Sequence, residues 1–399
     1  MRCRRRVTRA SRSSAGTDAP VRLPSLTGLR WFAAFAVFGF HIRYAPELSA
    51  DPGLASVLDV LFGPGAAGVP FFFILSGLVL TWSARPGDRP GAFWRRRAAR
   101  ILPVHVVMWT GVFTVLAVRR IAEPGPALTG LVLIQAWIPD QAYYFGVNTP
   151  AWSLSCEMAF YAAFPLMLPL LRRVPANRLS LVAAGAFAAI WLVPVVSLAM
   201  PRDIAYWFVW VFPAARVFEF LLGMSLALLI REGRWRGPGL VPSAALVAAA
   251  YLAQPYMWER WAWVAWMSGP LALLVAAAAS ADVEGRRSLL RTPVLIRLGE
   301  LSFAFYLCHH PVIRFGARLL RGATPSVPML VAVAAGMLLL AVGLAWSLYH
   351  LVERPLEKRL SGRRRATGPE RETNRPYDRD RDPAPATSSS ESPPHGSDG

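Results

Sequence analysis

The chain has 399 residues, of which 54% are hydrophobic and only 17% are charged. Soluble domains carry roughly 25% charged residues, so this chain has too few charges to cover a surface in water. The composition excludes a soluble enzyme, a disordered protein and a disulfide scaffold, and it predicts an all-α polytopic membrane protein. The formal net charge of +19 comes from Arg residues that flank apolar runs, which indicates membrane topology rather than nucleic-acid binding.

Ten apolar runs of roughly the 20 residues that a bilayer requires follow one another along the chain. They cover residues 28–45, 66–83, 101–118, 152–171, 179–199, 206–230, 240–256, 261–281, 298–318 and 328–350. We therefore expect about ten transmembrane helices. The seventh run is the weakest, because three prolines crowd its ends.

The Arg residues between the runs predict the orientation of the chain. If the N-terminus is cytoplasmic, most of them fall on the cytoplasmic side, so we expect a multi-pass protein of the cell membrane with both termini cytoplasmic. We also expect a basic disordered arm at 1–24, a membrane domain at 25–360 and a disordered polar tail at 361–399. The loop after the second run is expected to hold Arg85, Arg89, Arg95, Arg96, Arg97 and Arg100.

Arg30 and His41 are the first candidate site residues. They are eleven residues apart in the first run, so on a helix they face the same side, about 16 Å apart along the axis. Ionisable side chains at membrane depth tend to line cavities, and a neutral imidazole can take a proton from a hydroxyl group. The alternative is that both side chains lie at the membrane interface.

Other polar residues in or beside apolar runs have two interpretations each. Arg97 and Arg100, one turn apart, could bind phosphate oxygens or only anchor the cytoplasmic side. Glu157 requires a partner or a proton, so it is either part of a site or a structural pair for an Arg. Trp152 and Tyr161 could belong to an aromatic belt at the membrane interface.

Three further patterns indicate structure more than chemistry. The segment 68–77 combines three Phe residues with small residues and predicts close packing of helices. Arg216 and Glu219 have the i,i+3 spacing of an intramembrane ion pair. His309 and His310 are adjacent and point about 100° apart on a helix, which disfavours a shared metal.

Six motifs, in order over about residues 25–358, resemble those of the acyltransferase family 3 membrane proteins, and in particular their actinobacterial branch. The motifs are Arg30-x10-His41, Phe72-Phe73-x-Leu75-Ser76-Gly77, Arg97-x-x-Arg100-Ile101-x-Pro103, Trp152-Ser153-Leu154-Ser155-x-Glu157, Tyr306-Leu307-x-His309-x-Pro311 and Glu353-Arg354-Pro355. The last of these is expected to end the final helix. Pro70 stands where many relatives have Asp, so any role of that carboxylate is absent here.

The resemblance implies transfer of an acyl group, usually acetyl, from a cytoplasmic acyl-CoA to a hydroxyl of a sugar, a glycan or a glycosylated metabolite, without a metal. It implies that His41 is the general base and that Glu157 takes part in catalysis. The donor's phosphates would bind Arg30, Arg97 and Arg100, and the substrates would contact Trp152, Ser155, Tyr306 and His309. The alternative is a proton-coupled carrier or exporter that uses His41, Glu157 and His309, although the sequence has no internal repeat.

Overall fold

The computed structural model describes residues 21–48, 51–85, 87–262, 264–322 and 325–361. Within these ranges the chain forms α-helices joined by short turns and contains no β-strand, which confirms the predicted all-α class. The helices are α1 (Pro24–Arg43), α2 (Pro52–Phe62), α3 (Gly68–Ser83), α4 (Pro90–Val118), α5 (Pro124–Leu131), α6 (Gln141–Tyr144), α7 (Trp152–Arg172), α8 (Leu179–Ser197), α9 (Arg202–Trp210), α10 (Pro213–Arg231), α11 (Leu240–Ala253), α12 (Glu259–Ala262), α13 (Ala265–Val283), α14 (Pro293–Gly316), α15 (Val327–Leu348) and α16 (Arg354–Leu360).

Eight helical segments of the described chain are long and apolar enough to cross a membrane, so the protein is a polytopic membrane protein. They are Pro24–Arg43, Pro52–Ser83, Pro90–Val118, Thr149–Arg172, Ala176–Ser197, Arg202–Arg231, Glu259–Val283 and Val327–Leu360. Two of the ten predicted runs fall outside this set. The seventh run forms the shorter apolar segment Leu240–Tyr256, and the ninth lies in α14, which contains Arg297, Glu300 and Arg314.

Of the three predicted parts of the chain, the structure describes mainly the central one. The expected basic arm at 1–24 and polar tail at 361–399 lie outside the described residues, except for 21–24 and Ser361. The membrane domain at 25–360 contains all sixteen helices except for the first residue of α1, Pro24. Its limits stay a prediction.

Helix α4 begins earlier than the third predicted run. Pro90 occupies its first turn, where a residue without an N–H is tolerated, and the helix continues for 29 residues. Arg95, Arg96, Arg97 and Arg100, which were expected in a loop, therefore lie on this helix. Alanine and arginine both have high helix propensity, so the segment extends the helix beyond the apolar run.

The final helix does not end at Glu353, as the sequence suggested. A π-helical turn at Tyr349–Glu353 joins α15 to α16, which continues to Leu360. Such a turn adds a residue to the helical ladder and rotates the residues after it, and π-turns are frequent at functional sites. Here Glu353 is fully buried.

Helix α1, which contains both first candidate residues, is fixed from two sides. At its start, the carboxylate of Asp282 accepts hydrogen bonds from the backbone N–H of Ser25 at 2.8 Å and from its hydroxyl at 2.7 Å, which caps the helix. Helix α14 packs along α1 so closely that a Cβ at Gly299 would collide with the carbonyl oxygen of Thr27. These contacts fix the direction of α1 relative to α13 and α14.

Helices α3 and α10 cross in direct backbone contact. A Cβ at Gly77 would collide with the carbonyl oxygen of Phe220, and a Cβ at Gly223 would collide with that of Ile74. Small residues at such a crossing allow the close approach that stabilises helix pairs in membranes. The packing predicted for the segment 68–77 is therefore confirmed.

Two prolines inside helices remove hydrogen bonds that side chains from other segments replace. Proline has no N–H, so the carbonyl oxygen four residues earlier loses its helical partner. In both cases a side-chain N–H donates to that oxygen at 3.0 Å. The two cases are Asn148 donating to Leu307 beside Pro311, and Trp94 donating to Tyr161 beside Pro165.

Candidate active site

A cavity of about 640 Å³ lies between α1, α3, α4, α7 and α14. Arg30, Arg97 and Arg100 line it together with Glu157. These residues come from three helices, and the structure brings four of the predicted site residues to one space. Tyr306 of α14, a fifth predicted site residue, also lines the cavity.

The guanidinium groups of Arg30 and Arg97 have no ion-pair partner in the described part of the chain. The Nε atom of Arg97 is buried without a hydrogen-bond partner there, and its Cζ atom lies 6.0 Å from the ring centre of Phe93. Guanidinium groups present fixed pairs of N–H donors that match the oxygens of phosphate and carboxylate. Two such groups beside a cavity make it suitable for an anionic ligand.

Arg100 differs from these two residues, because two carboxylates neutralise it. Its NH1 atom lies 2.7 Å from the carboxylate of the buried Glu353 and 2.9 Å from that of Glu357. Sequence reasoning missed both pairs. The motif that contains Glu353 is a signal for one of them, but on its own it predicts only the end of a helix.

Glu157 accepts a hydrogen bond from Tyr161, which in turn contacts a third residue of the cavity. The hydroxyl of Tyr161 donates to its Oε2 atom at 3.2 Å and lies 3.4 Å from the Oγ atom of Ser76. Tyr161 and Trp152 are both buried, so the interpretation of these residues as an interfacial belt is wrong. Helix α7 turns both rings towards the protein, where Trp152 contacts Phe73 edge-on with ring centres 6.4 Å apart.

His41 lies on α1 with Arg30, as predicted, but it does not line the cavity. Its Nδ1 atom is 3.0 Å from the carbonyl oxygen of Val37 and 3.0 Å from the Nε2 atom of His309. The Nδ1 atom of His309 is in turn 3.2 Å from the carbonyl oxygen of Phe305. Tyr306 lines the cavity and its ring centre is 5.7 Å from that of His309. Two residues of α14 thus connect the cavity to His41.

The remaining residues predicted to bind substrate are only partly in the cavity. Tyr306 lines it, whereas Trp152, Ser155 and His309 do not. The hydroxyl of Tyr306 donates to Ser153, 2.9 Å away, and the hydroxyl of Ser153 donates to the carbonyl oxygen of Pro150 at 3.0 Å. The Oγ atom of Ser155 is buried and has no hydrogen-bond partner within the described ranges.

The predicted ion pair between Arg216 and Glu219 is confirmed. An oxygen of Glu219 lies 2.9 Å from the guanidinium of Arg216, and both side chains are 1% exposed. The Cζ atom of Arg216 is 5.2 Å from the ring centre of Phe73, which lines the cavity. The pair therefore stands behind the cavity wall rather than in the cavity.

The sequence is similar to known proteins over most of its length. Residues 23–349 match the family model described as the acyltransferase domain. The chain is 44% identical over 378 residues to acyltransferase MdmB of Streptomyces mycarofaciens, which covers 89% of this chain and 97% of that protein.

The names of two other relatives refer to carbohydrate polymers. The exopolysaccharide production protein ExoZ of Rhizobium meliloti is 31% identical over 323 residues, covering 77% of this chain and 94% of the relative. The peptidoglycan O-acetyltransferase OatA of Listeria monocytogenes is 22% identical over 375 residues, covering 84% of this chain and 56% of the relative. No solved structure matches the chain significantly.

Proposed function

The chain belongs to the acyltransferase domain family and is a membrane O-acyltransferase. We propose that it transfers an acyl group, most simply acetyl, from acyl-CoA to a hydroxyl of a sugar, a glycan or a glycosylated metabolite. The observation that carries the proposal is the cavity with the guanidinium groups of Arg30 and Arg97, which form no ion pair with any residue that the structure describes. We place this cavity at the cytoplasmic side of the cell membrane, where acyl-CoA is available.

The donor's phosphate groups bind Arg30 and Arg97 in this proposal. Both guanidinium groups line the cavity without a carboxylate partner within the described ranges, so an anion can form charge-assisted hydrogen bonds with them. Arg100 contributes less, because Glu353 and Glu357 already neutralise it. The acyl end of the donor then extends along the cavity towards Tyr306, which contacts His309.

The imidazole of His41 acts as the general base. It takes the proton from the acceptor hydroxyl while the oxygen attacks the carbonyl carbon of the thioester, which forms the new C–O bond. When the C–S bond breaks, the imidazolium returns the proton to the sulfur, and CoA leaves as the thiol. A base with a neutral form near pH 7 suits this task, and such proton transfer contributes about 10²–10⁴-fold to the rate.

The acceptor class rests on the relatives. One of them is named for exopolysaccharide production and another for O-acetylation of peptidoglycan, and both names favour a carbohydrate hydroxyl. Glu157 accepts a hydrogen bond from Tyr161 and lines the cavity together with Arg30, and in this proposal it orients the part of the site that faces the cavity. The carrier hypothesis has no such support, because the matching family consists of acyltransferases.

Binding of the donor tests the proposal. Calorimetry with acetyl-CoA and purified protein in nanodiscs is expected to show binding that weakens about tenfold or more in Arg30→Gln, since a hydrogen bond to a charged group contributes about 1.5–3 kcal/mol. Arg119→Gln is the matched control, because it removes an equal charge from an exposed position at the far end of α4. Equal affinity of the wild type and Arg30→Gln would contradict the donor site.

A further inference from the structure

We propose that His309 is a positioning residue that fixes the tautomer and the ring orientation of His41, so that the Nε2 atom of His41 is the basic nitrogen. The inference rests on the proposed function of His41 and extends it. It is carried by a chain of three contacts between two carbonyl oxygens and two imidazole rings, of which the one at His309 and Phe305 is buried and the two at His41 are partly buried.

The tautomer of His309 follows from its contact with the backbone. Its Nδ1 atom is 3.2 Å from the carbonyl oxygen of Phe305, and a carbonyl oxygen can only accept a hydrogen bond. Nδ1 of His309 therefore has the proton. In a neutral imidazole the other nitrogen is then an acceptor, so Nε2 of His309 presents a lone pair.

The tautomer of His41 follows in the same way. The Nδ1 atom of His41 faces two acceptors, the carbonyl oxygen of Val37 and the lone pair of His309 Nε2, each at 3.0 Å. Without a proton, this nitrogen would face two other lone pairs at hydrogen-bond distance. Nδ1 of His41 is therefore the donor to both, and Nε2 of His41 is left unprotonated and able to act as the base.

Burial makes the arrangement specific to His309. The side chain of His309 is fully buried, and an unpaired polar nitrogen there would cost about 1–3 kcal/mol. Its ring is stacked on Phe305, with centres 5.8 Å apart and planes at 17°, which fixes its rotation. His310 also approaches His41, with ring centres 4.9 Å apart, but the rings meet edge to face and not through their nitrogens.

The same contacts assist the proposed reaction. When Nε2 of His41 accepts the proton of the acceptor hydroxyl, the ring becomes positive, and its Nδ1–H donates more strongly to Val37 and His309. Once the thiol of CoA takes the proton, the neutral tautomer returns without a rotation of the ring. Partners that orient an imidazole in this way typically contribute about 10–100-fold to function in metal sites, and we expect a similar loss here.

The kinetics of variants at position 309 provide the first test. His309→Phe is expected to lower kcat by about 10–100-fold and to leave KM for acetyl-CoA unchanged, because His309 does not line the cavity. His309→Gln is expected to recover most of the rate, since its amide oxygen accepts a hydrogen bond near the place of Nε2. His350→Gln is the matched control, because Nδ1 of His350 makes the same contact to a carbonyl oxygen four residues earlier, that of Trp346 at 2.9 Å, and no imidazole of the described residues pairs with it.

A second test uses the wild-type protein in bilayers, labelled with ¹⁵N at its histidines, and reads the protonation of each ring nitrogen by NMR. It requires no active variant at position 309. The signals of His41 are those that disappear in His41→Ala. The inference predicts a protonated Nδ1 and a bare Nε2 for His41 in the wild type. A proton on Nε2 of His41, or full kcat in His309→Phe, would overturn it. Full activity of His41→Ala would instead overturn the proposed function.

Discussion

Arg30 lines the cavity, whereas His41, eleven residues further along the same helix, lies against His309 and outside the cavity lining. The helix thus separates the proposed donor-binding cation from the proposed basic imidazole by about 16 Å along its axis, at a rise of ~1.5 Å per residue. Tyr306 lines the cavity, and its ring centre is 5.7 Å from that of His309. The separation of Arg30 from His41 predicts that substitutions in α1 and its neighbours affect donor binding and turnover separately.

Arg100→Gln is expected to lower stability more than it lowers affinity for acetyl-CoA. The substitution leaves the buried carboxylate of Glu353 without its partner at 2.7 Å, and breaking a buried pair typically costs about 3–5 kcal/mol. Thermal unfolding in nanodiscs measures the loss. The double variant Arg100→Gln with Glu353→Gln is expected to recover part of it. Equal unfolding temperatures for wild type and Arg100→Gln would show that the pair has no structural role.

Glu157→Gln is expected to bind acetyl-CoA at least as tightly as the wild type and to turn it over more slowly. The substitution removes a carboxylate from the cavity that is proposed to bind the anionic donor, but this carboxylate also accepts the hydrogen bond from Tyr161 at 3.2 Å. Calorimetry and initial rates, measured on the same preparation, separate the two effects. Tyr161→Phe, measured in parallel, removes the same hydrogen bond from its donor side. Weaker binding of acetyl-CoA by Glu157→Gln would refute the expected effect of the carboxylate.

Asn148→Leu is expected to destabilise the protein by about 1–3 kcal/mol, because the buried carbonyl oxygen of Leu307 loses its donor. Pro311→Ala offers a direct check. Alanine restores a backbone N–H to α14, so the same Asn148→Leu change is expected to cost less in the Pro311→Ala background. Additive losses in this double-mutant cycle would mean that Asn148 does not compensate for the proline.

Gly77→Leu is expected to abolish the folded protein, because any side chain at this position collides with the backbone of α10 at Phe220. Gly111→Leu is the control, since a Cβ at Gly111 meets no atom within 4 Å. The yield of monodisperse protein in size-exclusion chromatography distinguishes the two variants. Comparable yields would contradict the close crossing of α3 and α10.

The sequence predicted the features that depend on local periodicity. Eight of the ten apolar runs coincide with segments that can cross a membrane, and i,i+3 spacing identified the pair Arg216–Glu219. The spacing of Arg30 and His41 placed both on one helix. In each case the residues involved are close in the chain, so a single helical geometry determines their relation.

Contacts between distant segments could not be predicted in this way. The pair Arg100–Glu353 depends on the π-turn after α15, which rotates Glu353 into the protein. His41 and His309 meet only because α1 and α14 pack together, and no pattern in either segment specifies the register. The burial of Trp152 likewise depends on neighbours of α7 rather than on its own sequence.

In the proposed reaction His41 is the base for acyl transfer from acyl-CoA. The most direct test of this role is the release of CoA thiol from acetyl-CoA by purified protein in nanodiscs, with water as the acceptor, in the wild type and in His41→Ala. We predict slow release by the wild type and none above background by a folded His41→Ala protein that still binds acetyl-CoA. Equal release by the two proteins would contradict the proposal that His41 is the base.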